Sequence, residues 1–464
     1  MSDPRSPFMV SYEPIRPGGS PFHVAVTWLV ILVSVGLIGV DNFRSPYSAA
    51  ASTATGSAAE NRNIGVEIGS RYVVGAWALN RAHPERLPNL LSRLDGLANT
   101  PQDRLELAII AGQVQGASAA IDRIDALKPQ LEQDPDLRQD ADALRDVYAG
   151  GVESLTAAQR QRLLDRYRWF GRVALAYGAP PHGPAEKAAL APAVRTLAAV
   201  GTGGLLLVAA FIAGFVLCAL SIIWLALGKV RLAYRPPAGS SVPLLEAFAI
   251  YVASVAAVEM IFRAWAGPAG VGGIVLRAVV TVAIAVVPII WPLLRGMPGR
   301  EFRQAVGWHA GRGALREIGI GILGYIGGLP VLAIGFLITA ALINLTGIQP
   351  NQHPIVRLIG QGPGRTAELF ILASIYAPIA EETLFRGALF SRLRGRFGWL
   401  VSASIVSLIF AALHPQGWVA IPVLFSIAIV LAALREWRGS ILPSMAAHSL
   451  NNTIMLLLLT VCLS

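Results

Sequence analysis

Leu369-Phe370-Ile371-Leu372-Ala373-Ser374-Ile375-Tyr376-Ala377-Pro378-Ile379-Ala380-Glu381-Glu382-Thr383-Leu384-Phe385-Arg386-Gly387 is the stretch on which the fold turns. It is a run fit for lipid, broken by one proline, and two adjacent carboxylates stand near its end. An ionisable group at membrane depth costs a few kcal/mol on insertion scales, so such groups face a protein interior and mark function. If the run is a membrane helix, the chain must supply polar partners for these two glutamates from other helices.

The rest of the chain has the composition this requires. Of 464 residues, 54% are hydrophobic and 14% charged, and mean hydropathy is +0.56. Soluble domains carry roughly 25% charged residues. Several apolar runs exceed the length that spans a bilayer. The expected fold is therefore all-α, a polytopic membrane helical bundle. Apolar runs fall at about 23–40, 197–227, 243–263, 273–294, 318–345, 367–387, 399–414, 418–434 and 441–463, which makes nine. Gly-rich runs such as Gly319 to Gly328 allow close helix packing. The two cysteines, Cys218 and Cys462, lie inside apolar runs, which argues against a disulfide framework or a cysteine metal cluster.

Net charge is +10 and unevenly placed. Residues 44–195 hold 18 Lys/Arg against 17 Asp/Glu, and the remainder holds 20 against 11. The excess sits in short segments between apolar runs: Lys229, Arg231 and Arg235; Arg295, Arg300, Arg303, Arg312 and Arg316; Arg392, Arg394 and Arg396; Arg435 and Arg438. Loops on the other side are poor in basic residues, Arg357 and Arg365 excepted. With nine spans, this bias puts the N-terminus in the cytoplasm and residues 44–195 outside. No solvent-facing basic stripe with aromatics is present, so nucleic acid is not an expected partner.

Read in order, residues 1–20 form a Pro-rich cytoplasmic tail and 21–43 a first transmembrane helix, read as an anchor rather than a cleaved signal. Residues 44–195 are an inserted extracytoplasmic α-helical domain of four to six helices, opening on an Ala/Ser/Thr linker to about Ala59. Its caps are legible: Thr100-Pro101-Gln102-Asp103, and Thr156-Ala157-Ala158-Gln159 ahead of Leu163, Leu164, Tyr167 and Phe170. Leu131, Leu137 and Leu144 mark an apolar stripe, and His83 and His182 lie in Pro-rich surface turns. Residues 196–365 hold further transmembrane helices, and 366–464 form the core in which chemistry is expected.

In that core Glu382 and Arg386 are four apart and share a helix face, so they can pair. Glu381 lies about 100° round the helix and points elsewhere. His414 ends the apolar lead-in Phe410-Ala411-Ala412-Leu413, and His448 and Asn452 are four apart inside the last run. Buried polar groups need partners. Glu381 can act as general base on a water oriented by His414, while His448 and Asn452 donate hydrogen bonds to a developing oxyanion. The same groups suit zinc, although the helical His-Glu-x-x-His pattern is absent. Loop arithmetic places His414 near the outer end of its span and Glu381 near the cytoplasmic end of its own. An inward shift of the 399–414 helix, or entry of Gly387 to Gly398 into the membrane, would reunite them.

Glu381-Glu382-Thr383-Leu384-Phe385-Arg386, then Phe410 to His414, then His448 to Asn452 resembles the CAAX protease and bacteriocin-processing family, also called type II CAAX prenyl endopeptidases or abortive-infection-like intramembrane proteases. Each motif alone is weak, and three in order are strong. The resemblance covers about residues 366–462. It implies an intramembrane glutamate-dependent endopeptidase in which Glu381 and His414 activate water, His448 and Asn452 form the oxyanion site, and Glu382 and Arg386 support them. It implies no required metal or cofactor, zinc being the disfavoured alternative. Its partners would be a membrane-associated protein or peptide substrate and the lipid bilayer, at the inner membrane of a bacterium. Two other classes compete: a transporter lined by Glu246, Glu259, Arg263 and Arg277, for which no inverted repeat is seen, and a non-catalytic scaffold whose outer domain binds a partner.

Overall fold

The computed structural model describes residues 20–43, 63–81, 88–236, 241–264, 271–351, 353, 355, 359 and 362–463. The Pro-rich start, the linker to Ala59, His83 and the side chains of Arg263 and Arg277 lie outside them. The described residues form helices α1 (Pro21–Phe43), α2 (Ile64–Leu79), α3 (Pro88–Asp95), α4 (Pro101–Gln115), α5 (Ala117–Leu127), α6 (Pro135–Gly150), α7 (Ala157–Tyr167), α8 (Trp169–Leu175), α9 (Pro184–Ala226), α10 (Val242–Ala264), α11 (Val271–Leu294), α12 (Gly299–Val306), α13 (Ala314–Thr346), α14 (Pro363–Ile371), α15 (Ala377–Glu382), α16 (Phe390–Arg394), α17 (Trp399–Ala412), α18 (Ile421–Arg438) and α19 (Leu442–Leu463). No strand occurs among them. The fold is all-α and polytopic, as the composition predicts.

Among the described residues six helices, rather than the nine expected, are long and apolar enough to cross a membrane: those at Pro21–Val40, Pro184–Ala226, Val242–Ile261, Ala314–Thr346, Trp418–Arg438 and Leu442–Leu463. The segments Val282–Leu294 and Trp399–Ala412 are shorter. The run expected at 367–387 is no single α-helix. It is α14, a π-helical segment Leu372–Tyr376, α15, and a second π-helical segment Thr383–Leu389 leading into α16. Pro378 supplies the physical reason for the first break. It has no N–H to give the carbonyl four residues back, and its ring crowds that carbonyl. The widened π turn relieves the clash.

The chain divides into two compact units. One comprises Thr53–Val208 with Ile355–Thr366 and Met455–Ser464. Its core surrounds α4, where Leu105, Leu107, Ala108, Ile109 and Ile110 are all fully buried. Both expected caps are present: Thr100 and Asp103 form a capping box on α4, and Thr156 and Gln159 form one on α7. Among its described residues the unit has seven α-helices, α2 to α8, before α9, rather than four to six. Gly116, at φ 101°, separates α4 from α5, and Arg168, at φ 50°, separates α7 from α8. Each break splits one apolar period into two short helices. Arg71 pairs with Glu67 at 2.8 Å and donates to the last carbonyls of α19, those of Cys462 and Leu463. Thr196 Oγ1 donates to Cys462 O as well. These bonds satisfy carbonyls that a helix end leaves without an internal donor.

The other unit comprises Met1–Ser52, Ala209–Pro354 and Ala367–Ile454. Its main core joins Ile31, Phe248, Val252, Leu384, Phe385, Phe390, Val406, Phe410 and Ala428, so α1, α10, the second π segment, α17 and α18 meet there. Helix α13 packs on α18 and α19 through Gly321, Gly324, Gly328 and Gly335. A Cβ at Gly328 would stand 2.6 Å from Val430 Cγ1, so only a bare backbone permits this approach. Buried polar groups tie the first helix in: Glu246 accepts from Trp291 and Arg295 and lies 2.7 Å from His23 Nε2. The arginines expected as loop charges are partly otherwise employed. Arg438 is bound to Glu317 at 2.6 Å and Arg394 to Glu436 at 2.9 Å, all within helices.

Candidate active site

Glu382 is completely buried, and so is Arg386 one turn on; they pair at 2.8 Å. The guanidinium also donates to Ala428 O at 3.0 Å and lies over the Phe410 ring, 4.8 Å from its centroid. His448 Nδ1 stands 2.9 Å from the same Glu382 oxygen. A carboxylate only accepts, so Nδ1–H is the donor, and Nε2 is the ring atom left for other work. Glu382 is thus held from two sides by groups on two elements. A buried charge requires such compensation.

Glu381 is arranged differently. Its side chain keeps 24% of its exposure, and Oε2 lies 3.9 Å from His448 Nε2, too far for a direct hydrogen bond. That oxygen has no hydrogen-bond partner among the described residues. Glu382 is held through Oε1 alone; its Oε2, like that of Glu381, has no hydrogen-bond partner among the described residues.

His414 reaches the same cluster. Helix α17 has only 14 residues, about 21 Å of rise against a hydrocarbon core of about 30 Å. The helix is thus shorter than the hydrocarbon core is thick, and His414 follows it directly. Its Nδ1 is 2.7 Å from Phe410 O, so Nδ1–H donates there and Nε2 carries the free lone pair. The Phe410 ring lies 4.3 Å from the His414 ring and 5.9 Å from the His448 ring, centroid to centroid. Phe410 is thus a common floor for both imidazoles and for Arg386. The four-residue spacing from Phe410 to His414 serves the ring contact and the backbone bond at once.

Asn452 Nδ2 donates to Ala373 O at 2.8 Å, and Asn452 Oδ1 accepts from Asn451 Nδ2 at 3.1 Å. Ser449 donates to Ser374 O. Ser374 lies four residues before Pro378 and Ala373 five, so their carbonyls are the ones a prolyl nitrogen leaves without a donor in α and π geometry. Helix α19 replaces the missing donors with side chains. One amide N–H of Asn452 is thereby spent, and one remains.

Several residues that serve the site were not singled out in the sequence. Arg435 is fully buried and donates to Arg386 O at 3.2 Å, to Ala305 O at 3.0 Å and to Gly439 O, with its guanidinium 4.7 Å from the Tyr234 ring centroid. It ties the second π segment to α12 and to the end of α18. Trp308 Nε1 donates to Thr383 Oγ1 at 2.9 Å, and Thr383 in turn donates to Ile379 O. A cavity of about 320 Å³ with wholly apolar walls lies beside this helix, lined by Ala285, Ile289, Phe302, Trp308, Ile379 and Ala380 among others. Ala380 immediately precedes Glu381.

Among the described residues no three His, Cys, Asp or Glu side chains are grouped to hold a metal. Of the candidate ligands, Glu382 Oε1 is bound by Arg386 and His448, and His414 and His448 each have Nδ1 bonded, to Phe410 O and Glu382.

Fold and site together define a polytopic helical membrane protein with a buried carboxylate–histidine cluster. Residues 363–454 match the model of the family described as "Type II CAAX prenyl endopeptidase Rce1-like", a family of peptide hydrolases. The chain is also 29% identical over 150 residues to an uncharacterized 24.3 kDa protein of Escherichia coli. The overlap takes in 31% of this chain and 66% of that protein, just under two thirds of its length. No solved structure matches.

Proposed function

We propose that the chain is an intramembrane endopeptidase in which Glu381 activates water without a metal. The observation that supports this reading is the different engagement of the paired glutamates: Glu382 Oε1 is bonded to both Arg386 and His448, whereas Glu381 Oε2 makes no hydrogen bond and lies 3.9 Å from His448 Nε2. In the proposed reaction Glu381 takes a proton from water, and His414 Nε2 accepts the other hydrogen and fixes the water's orientation. The oxygen attacks the scissile carbonyl. His448 as imidazolium donates Nδ1–H to Glu382 and Nε2–H to the oxyanion, and Asn452 adds its remaining N–H. The proton on Glu381 then passes to the departing nitrogen, the C–N bond breaks, and an acid and an amine result. The clamped state of Glu382 argues against a metal at this place, because a metal would compete with Arg386 for it.

The substrate class this favours is a membrane-associated protein or peptide, with the apolar cavity beside Ala380 receiving its lipid-soluble part. The basic bias of the loops supports a cytoplasmic N-terminus, an external unit at 44–195 and a location in the inner membrane of a bacterium. The competing transporter reading loses support from Glu246, whose carboxylate is engaged by His23, Trp291 and Arg295. The test is a comparison of peptide termini in membranes of cells carrying wild type or Glu381→Gln at equal abundance. Termini that vanish in the variant support the protease; identical termini under every growth condition overturn it.

A further inference from the structure

Away from the glutamates, a second cavity of about 240 Å³ lies among Trp28 of α1, Arg392 and Leu393 of α16, Arg396 and Phe397 of the turn that follows, and Ile405 of α17. Its unusual member is Arg392. The residue is 7% exposed, yet Nε and Nη2 have no hydrogen-bond partner among the described residues. Nη1 reaches only Ser241 Oγ, at 3.5 Å, the limit of a hydrogen bond. Arg396 adds a second positive charge to the same wall. Among the described residues, no carboxylate lies within ion-pair distance of either, and the acid nearest in the local network, Glu436, is bound by Arg394 through both oxygens at 2.9 Å. Other buried arginines of this unit have an acidic or carbonyl partner: Arg386 pairs with Glu382, although its Nε is unpartnered, Arg435 donates to three carbonyls, and Arg438 pairs with Glu317. A buried guanidinium with free donors, beside a like charge, is expensive unless something fills the cavity.

We propose that this cavity binds a phosphate group, and that the phosphate is the headgroup of an anionic phospholipid. Guanidinium donors match phosphate oxygens in geometry and charge, and two converging arginines supply the neutralisation that an isolated one does not. The remaining walls, Trp28, Leu393, Phe397 and Ile405, are apolar and suit the first carbons of an attached chain rather than a fully hydrated ion. The surroundings favour the lipid source over a soluble one. Phe397, Leu400 and Val401 present exposed apolar surface next to the cavity, and the basic cluster 392–396 sits where an apolar span ends. Basic pockets between transmembrane helices are where anionic headgroups bind.

The test uses the full chain purified in detergent, with lipid retention read by native mass spectrometry after addition of phosphatidylglycerol or phosphatidylcholine. Wild type is expected to retain phosphatidylglycerol at least about tenfold better than the doubly substituted R392Q/R396Q protein. Retention of phosphatidylcholine by wild type should match that of the variant for phosphatidylglycerol. Ile405→Phe fills the cavity while keeping both arginines, so it tests the site if the double variant does not fold, and it too should lose the lipid. Equal retention of both lipids, or phosphatidylglycerol retention unchanged in R392Q/R396Q and Ile405→Phe, overturns the proposal. Thermal stabilisation by millimolar inorganic phosphate equal to that by phosphatidylglycerol overturns the lipid assignment in favour of a free anion.

Discussion

At the scale of single residues, the site separates a carboxylate held in place from a carboxylate left to react. Substituting them should therefore produce different failures. Glu381→Gln leaves Arg386 and His448 bound to Glu382, so the protein should melt within a degree or two of wild type while turnover falls by about 10²–10⁴, the usual contribution of a general base. Glu382→Gln strips the charge opposite a buried guanidinium. Breaking one side of such a pair costs about 3–5 kcal/mol, so this variant should lose melting temperature as well as activity. Thermal denaturation and product formation measured together check both statements. Equal loss of stability in the two variants would contradict the division of roles. The pair was legible in the sequence because Glu382 and Arg386 stand one helical turn apart, and local spacing fixes local partners. Arg435 was not legible, because all its acceptors are backbone carbonyls, at Ala305, Arg386 and Gly439, two of them far away in the chain. A side chain that bonds to main chain leaves no partner residue type to recognise. It was counted among topogenic charges for want of any other signal.

At the scale of the element, the helix bearing the glutamates is shaped by Pro378. The apolar run around it reads as one span, because hydropathy does not distinguish α from π turns. Only the proline signalled a break, and the three-dimensional response, donors sent in from α19 by Asn452 and Ser449, involves residues about 75 positions away. Pro378→Ala restores an N–H at this point. The new donor competes with Asn452 and Ser449 for Ala373 O and Ser374 O and favours a continuous α-helix. One residue fewer per turn rotates everything beyond it, including Glu381, relative to His448. The expected result is a melting temperature equal to or above that of wild type with turnover reduced at least about tenfold, since small misplacement of reacting groups is costly. Preserved turnover would show that the π segment does not position the base. Arg435→Lys tests the second π segment in the same way: a lysine cannot span three carbonyls in different directions, so both stability and turnover should fall.

At the scale of the whole molecule, the unit built around α4 and the bundle that holds the site answer to different physical conditions. In the first unit Arg162 bonds to Asp136 and Asp140. Its hydrogen bond and charge hold the Asp136 carboxyl below its ordinary value. A depressed folded pKa contributes stability that is present above the unfolded value, about 3.9, and is lost as pH falls through the folded one. Because Asp136 is exposed, the contribution is small and weakens with salt. Amide protection factors in α6 and α7 of the intact protein, corrected for intrinsic exchange, should therefore fall between about pH 4 and pH 2, and Arg162→Gln should reduce that dependence. Exchange that stays pH-dependent to the same degree in the variant would assign the effect to other carboxyls. The orientation of the chain is a separate matter and has its own test. Several basic residues counted toward it are buried in ion pairs, yet Lys229, Arg231, Arg235, Arg300, Arg303, Arg312 and Arg316 share one parity when α11 is counted as a crossing, and the proposed orientation rests on that bias. Glu153 has a side chain 93% exposed in the first unit. With Cys218 and Cys462 replaced by serine and alanine, Glu153→Cys should react with a membrane-impermeant maleimide in intact cells, whereas Arg312→Cys should react only after the membrane is opened. The reverse pattern would invert the bundle and place the unit around α4 in the cytoplasm.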